Sequence, residues 1–101
     1  MFEKTITQVK PSTDIAWFYN TPGADSVVFE EEIILAPGYL FHNTTVVDDL
    51  TTVSSVFFET KEQYEDFVSS TKSARLTTYR AARIAYNTEQ GIIQTETEKN
   101  L

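Results

Sequence analysis

The stretch Leu50 to Thr60 (LTTVSSVFFET) constrains this chain more than any other segment. It is rich in β-branched and aromatic residues, the composition of a strand, and successive strand side chains point to opposite faces. Val53 and Phe57 then point one way while Val56 and Phe58 point the other. Both faces are apolar. A sheet with helices on one side only should alternate apolar with polar residues more cleanly. Something else must cover the second face. The chain has 101 residues, the length of one domain. A domain of this size buries roughly 60–70% of the surface its unfolded form exposes. A partner would thicken so thin a core, and the expected partner is a second copy of the same chain.

The elements around this strand follow from local signals. Glu3 to Val9 (EKTITQV) reads as a first strand, closed by Pro11. Pro11 to Asp14 offers capping and turn chemistry, and Ile15 to Tyr19 fits one helical turn or a short extended piece. Thr21-Pro22-Gly23 is a loop. Val27 to Ala36 (VVFEEEIILA) fits either a strand or a helix. The helix would carry Phe29, Ile33 and Ala36 on one face, with Asp25 or Ser26 as cap. His42 to Val47 and Leu50 to Thr60 flank Asp48-Asp49 and read as an antiparallel hairpin. Thr60-x-x-Gln63 has the spacing of a capping box, and Tyr64, Phe67 and Val68 follow on one helical face. Ser73 can cap a further helix, about Ala74 to Asn87, striped by Leu76, Tyr79, Ala82 and Tyr86. Ile92-Ile93-Gln94 then makes a short last strand. Residues 1–95 form one α+β domain on this reading, and 96–101 a polar, frayed tail.

Composition narrows the function classes. The net charge is −7 and acidic side chains number 15, which disfavours nucleic acid as a partner. There is no cysteine and one histidine, so no disulfide, thiolate chemistry or metal site is expected, and no cofactor. No apolar run approaches the roughly 20 residues that span a bilayer, and the first ten residues lack a signal-peptide pattern. The expectation is a complete chain that works in the cytoplasm.

The order strand, helix, strand, strand, helix suggests a ferredoxin-like split βαβ unit with an antiparallel sheet. Ala36-Pro37-Gly38-Tyr39-Leu40 and then Val56-Phe57-Phe58-Glu59-Thr60-Lys61-Glu62-Gln63-Tyr64-Glu65-Asp66-Phe67 resemble the antibiotic-biosynthesis-monooxygenase type of dimeric α/β barrel. The resemblance covers roughly Val27 to Val68. It implies that Val27 to Ala36 is helical and that the doubly apolar strand packs sheet on sheet across a two-fold axis. Phe58 stands where that family usually has Trp, and none of the family's polar catalytic residues carries over. KTITQ-x-x-PSTD near the start and AARIAYN-x-x-x-GI near the end resemble short uncharacterised phage proteins, which implies a host cytoplasm.

Side chains with chemical potential are few. His42 is a candidate general base or haem ligand, set against a locally hydrogen-bonded hairpin-end residue. Tyr79 and Trp17 are the other catalytic candidates. With Phe18, Tyr19 and Tyr86 they are candidate walls of an aromatic pocket, set against plain core packing. Arg75, Arg80 and Arg83 fan over about 140° of one helix. They form either an anion site or the partners of Glu30, Glu31 and Glu32. Val53, Val56, Phe57 and Phe58 are the candidate dimer interface, of which one same-face pair is to be buried. The function expected is non-enzymatic binding or assembly by a small homodimer. The alternative is a cofactor-independent monooxygenase-like protein, or one that binds a small apolar or aromatic ligand.

Overall fold

The computed structural model describes residues 1–101. β1 (Phe2–Val9) leads through a single 3-10 turn (Phe18–Asn20) to α1 (Val28–Ile33). β2 (Tyr39–Val46) and β3 (Thr51–Phe58) follow as a hairpin, then α2 (Lys61–Ser69), α3 (Ala74–Gln90) and β4 (Ile93–Asn100). The strands make one sheet in the order β2-β3-β1-β4, antiparallel throughout. β3 therefore lies between the two strands that α1 connects.

Register settles which face of β3 is inside. Phe58 is opposite Phe2 and Tyr39, and Val56 is opposite Lys4 and His42. These side chains point to the helices, where Val56 and Phe58 pack with Ile33, Phe29, Tyr64 and Phe67. Phe58 is wholly buried and Val56 nearly so. Neither can serve a dimer interface, and that expectation is corrected for both: the helix layer of their own chain already covers them. Val53 and Phe57 face the other way, where no helix lies.

Local chemistry explains the helices. The capping box at α2 is present, with Thr60 Oγ1 accepting from Gln63 N–H at 3.2 Å and Gln63 Oε1 accepting from Thr60 N–H at 3.1 Å. Ser73 Oγ caps α3 by accepting from Leu76 N–H at 3.1 Å. α1 is helical, but it has six residues and no side-chain cap. Asp25, expected there, is bound to Arg75 instead. α1 stops early because Pro37 cannot continue it, and Ile34 and Leu35 are left exposed. On α3 the inward stripe includes Leu76, Tyr79 and Tyr86 as expected, but Ala82 is exposed.

The C-terminal segment departs most from expectation. Residues 96–101 do not fray. β4 pairs with β1 along its whole length, from Val9–Ile93 to Phe2–Asn100. Leu101 N–H also donates to Met1 O at 2.7 Å. β-branched Thr95 and Thr97 alternate with Glu96 and Glu98, and Glu98 meets Lys4 at 3.5 Å and Lys61. The charges that suggested a solvated tail belong to a protected edge strand.

Gly38, at φ +83°, turns the chain from α1 into β2, and a Cβ there would overlap the Gln63 side-chain amide. Gly38→Ala would therefore strain the backbone and push Gln63 out of its capping role, at a cost of about 1–3 kcal/mol. Chemical denaturation should read this loss. An unchanged midpoint would mean that Gln63 is not held there.

Candidate functional site

His42 faces the helix layer on β2. In a regular strand residues 39 and 42 would lie on opposite faces, but a bulge at Leu40 shifts the register and returns both to one face. The Tyr39 hydroxyl meets His42 Nδ1 at 2.7 Å, and the Phe29 ring stands edge-on to the imidazole, 5.5 Å between centroids. His42 thus has a local hydrogen-bonding partner, as its plain structural role requires.

Trp17 and Tyr79 lie elsewhere. Trp17 is buried under Lys10, whose Nζ is 4.6 Å from the ring centroid and donates to Ile15 O at 2.7 Å. That pairing anchors the loop after β1. Tyr79 packs 5.2 Å from Phe18, and Tyr86 5.6 Å from the same ring. Tyr86 also donates to Ala16 O at 2.6 Å. This group fastens the 3-10 turn to α3, and burial raises the Tyr79 pKa. His42, Trp17 and Tyr79 therefore sit in three separate contact sets and do not converge. Beside Tyr79 and Arg75 is a depression of about 340 Å³. A larger open groove, about 770 Å³, runs from Leu35 and Pro37 past Phe67 to Ser73 and Leu76.

The three arginines have three different surroundings, neither a joint anion site nor a joint salt-bridge ladder. Arg75 alone meets the acidic run, at Glu31 (2.7 Å), and it also binds Asp25. Arg80 turns inward, stacks on Phe67, and donates to Phe67 O at 2.9 Å and Ser70 O at 3.3 Å. It caps the C-terminus of α2, where the free carbonyls favour a cation. Arg83 also turns inward, but it takes part in no hydrogen bond or ion pair, and its Nε is shut off from solvent without a partner. One turn on, Asn87 is buried and its Oδ1 is likewise unpartnered, while Nδ2 reaches Gln8 Oε1 at 3.4 Å. Asn87 was missed in the sequence, although Leu76, Arg80, Arg83 and Asn87 share one helical face at i, i+4, i+7 and i+11. Around this pair the Tyr64 pKa is pushed up to about 12, chiefly by burial. That of Arg80 is lowered by burial and then by the charge of Arg83.

Hydrogen bonds from Arg75 and from Lys61 hold the carboxyls of Asp25 and Glu98 below their ordinary values of 3.8 and 4.5. A carboxyl depressed in the folded state stabilises it above the ordinary value and loses that contribution as pH falls through the folded value. The melting temperature should accordingly drop modestly as pH falls below 4.5 and then 3.8. Asp25→Asn should flatten the lower part of that drop. An acid limb identical in the variant would contradict it.

No known family profile matches the chain, and no curated protein does. Solved structures do. A dimeric ferredoxin-like protein from an uncultured marine organism superposes with a TM-score of 0.70, at 10% identity over 100% of this chain and 94% of that one. The fold is ferredoxin-like. SnoaB, a cofactor-independent oxygenase from Streptomyces nogalater, shares this ferredoxin-like fold at TM-score 0.65 and 10% identity, covering 99% and 91% of the two chains. An antibiotic biosynthesis monooxygenase does so at 0.58 and 13%, covering 100% and 98%. These are the neighbours that the Val27 to Val68 resemblance implied. No helix of this ferredoxin-like chain is long and apolar enough to cross a membrane.

Proposed function

We propose that this chain works as a homodimer closed through the open face of its sheet, acting by binding or assembly. The observation that carries the reading is the Phe41–Phe57 stack, 4.1 Å between centroids, on a face that no helix of the protomer covers. Val53 shares that face, with Thr5, Thr7, Thr45, Thr95 and Thr97 around it. Its only charges are Glu3 and Lys99, which are direct cross-strand partners. In a chain of net charge −7, this face is neutral, so two copies can meet there without repulsion. The dimeric state of the first structural relative supports the same reading. Sedimentation equilibrium tests it: twice the chain mass is expected, and a monomer at every concentration would sink it. The phage resemblance of the termini would place this dimer in a host cytoplasm.

A second reading is a cofactor-independent oxygenase, favoured by the likeness to SnoaB and by the Tyr39–His42 hydrogen bond in a half-buried spot. If Tyr39 donates to Nδ1, the other ring nitrogen of His42 carries the proton. Oxygen uptake with a phenolic substrate, lost in His42→Ala, would favour this second reading over the first.

A further inference from the structure

The groove that α1, α2 and the start of α3 enclose has an apolar floor and an acidic rim. Leu76 is buried at its base, with Phe67 and Ala36 half-buried beside it. Phe67 is fixed from behind, because Arg80 stacks on its ring and Phe29 packs against it at 6.1 Å. Leu35, on the same groove, stays 73% exposed. A lone exposed leucine is ordinary, but apolar surface gathered in a groove and rimmed by charge marks a site of contact. The rim carries Glu32 on the α1 side and Asp66 on the α2 side, and Glu62 stands one turn before Asp66. Asp25, Glu31, Glu65 and Glu98 all find cations within the chain, whereas Glu32, Glu62 and Asp66 enter no ion pair. Lys72 is the single basic residue of the lining.

We propose that this groove receives a short basic amphipathic helix of another protein. Its apolar side lies on Leu35, Phe67 and Leu76, and its lysine or arginine side chains meet Glu32 and Asp66. The inference rests on the binding role proposed above and not on the dimer. The groove belongs to the helix layer, and the open face lies on the other side of the sheet, so a dimer closed there leaves the groove of each copy free. Three features select this partner. The groove holds about 770 Å³ and is open along its length, so it suits side-chain anchors projecting from a chain better than an enclosed small molecule. Its walls are helices whose end groups are already taken. Arg80 donates to Phe67 O and Ser70 O, and Ser73 Oγ accepts from Leu76 N–H. An extended peptide would find no row of free N–H and C=O groups to pair with, whereas a helix satisfies its own. Unpaired carboxylates on two sides call for a cationic partner, and the net charge of −7 steers one in from a distance. Lys72, next to α3, suits the negative C-terminal end of the docked helix.

The test is a titration of the wild-type protein with the amphipathic peptide LKKLLKLLKKLLKL, followed in ¹⁵N–¹H spectra. Its glutamate counterpart LEELLELLEELLEL and a scrambled peptide of the same lysine and leucine content run beside it. The expected result is saturable movement of the backbone amides of residues 66–73 with the first peptide and none with the other two. Leu35→Gln and Asp66→Lys change exposed side chains and should stay folded. Each should weaken binding roughly tenfold or more, one by removing an apolar anchor and the other by reversing a charge. Equal binding by both variants would overturn the inference. So would equal binding of the glutamate or scrambled peptide, or amide movement confined to the rest of the chain. A Leu35→Gln variant that sediments as a smaller species than the wild type would also overturn it, because a second copy would then be the occupant. A wild-type monomer that still takes the lysine peptide into the groove would remove the dimer and leave this inference standing.

Discussion

Phe57→Lys is expected to give a folded monomer, with self-association weakened at least about a hundredfold, because the Phe41–Phe57 stack is lost and each copy brings an added positive charge to the interface. Within the protomer the change is mild. Phe57 is half-buried, it stacks on Phe41, and its cross-strand partner on β1 is Glu3. A lysine there meets an opposite charge, whereas a glutamate would face Glu3 and confuse lost association with lost stability. Sedimentation equilibrium of the variant beside the wild type is the measurement. A variant dimerising as tightly as the wild type would remove Phe57 from the interface and with it the open-face assembly.

Phe58→Ala, one residue along, is expected to cost about 3–5 kcal/mol of stability. Phe58 is wholly buried and touches the rings of Tyr39, Tyr64 and Phe67, at centroid distances of 6.0, 5.6 and 5.9 Å. Those contacts join β2 to α2 across the core, and the neighbours belong to two elements that cannot both collapse into the void. Domains of this size have about 5–15 kcal/mol in hand, so the variant should be close to unfolding at room temperature. Denaturant titration at one fixed protein concentration reads the loss, since association adds its own stability. A loss below about 1 kcal/mol would mean that Phe58 is not the centre of this core. The two variants at adjacent phenylalanines would thus separate folding from the proposed assembly.

Much of the fold was legible because its signals are short-range. The capping box at Thr60 and Gln63, the Ser73 cap and the hairpin around Asp48-Asp49 all depend on residues within a few positions of one another. The two apolar faces of β3 were equally plain. Which face is the core was not, because strand alternation is symmetric until a helix layer is placed on one side. The frayed tail was misjudged for a related reason. The Thr and Glu alternation of residues 95–98 reads as solvated until β1 is beside it and Lys4 and Lys61 are in reach of Glu98.

The candidate site divides in the same way. That His42 was the sole histidine, and that the arginines cluster on one helix, was evident from the chain alone. That His42 meets Tyr39 depends on a bulge at Leu40, and a bulge is a property of paired strands. The separate surroundings of Arg75, Arg80 and Arg83 depend on where α1 and α2 lie around α3. By itself, then, the sequence determined the starts of α2 and α3, the antiparallel hairpin and the existence of two apolar sheet faces, whereas the residues of α1 fitted strand and helix alike. Only tertiary structure decided that Val56 and Phe58 are core, that Val53 and Phe57 face away from the helices, and that Arg83 and Asn87 turn inward with unpartnered atoms. The physical reason is range: propensity and capping act within about one helical turn, whereas burial and partner choice are set by segments far apart in the chain.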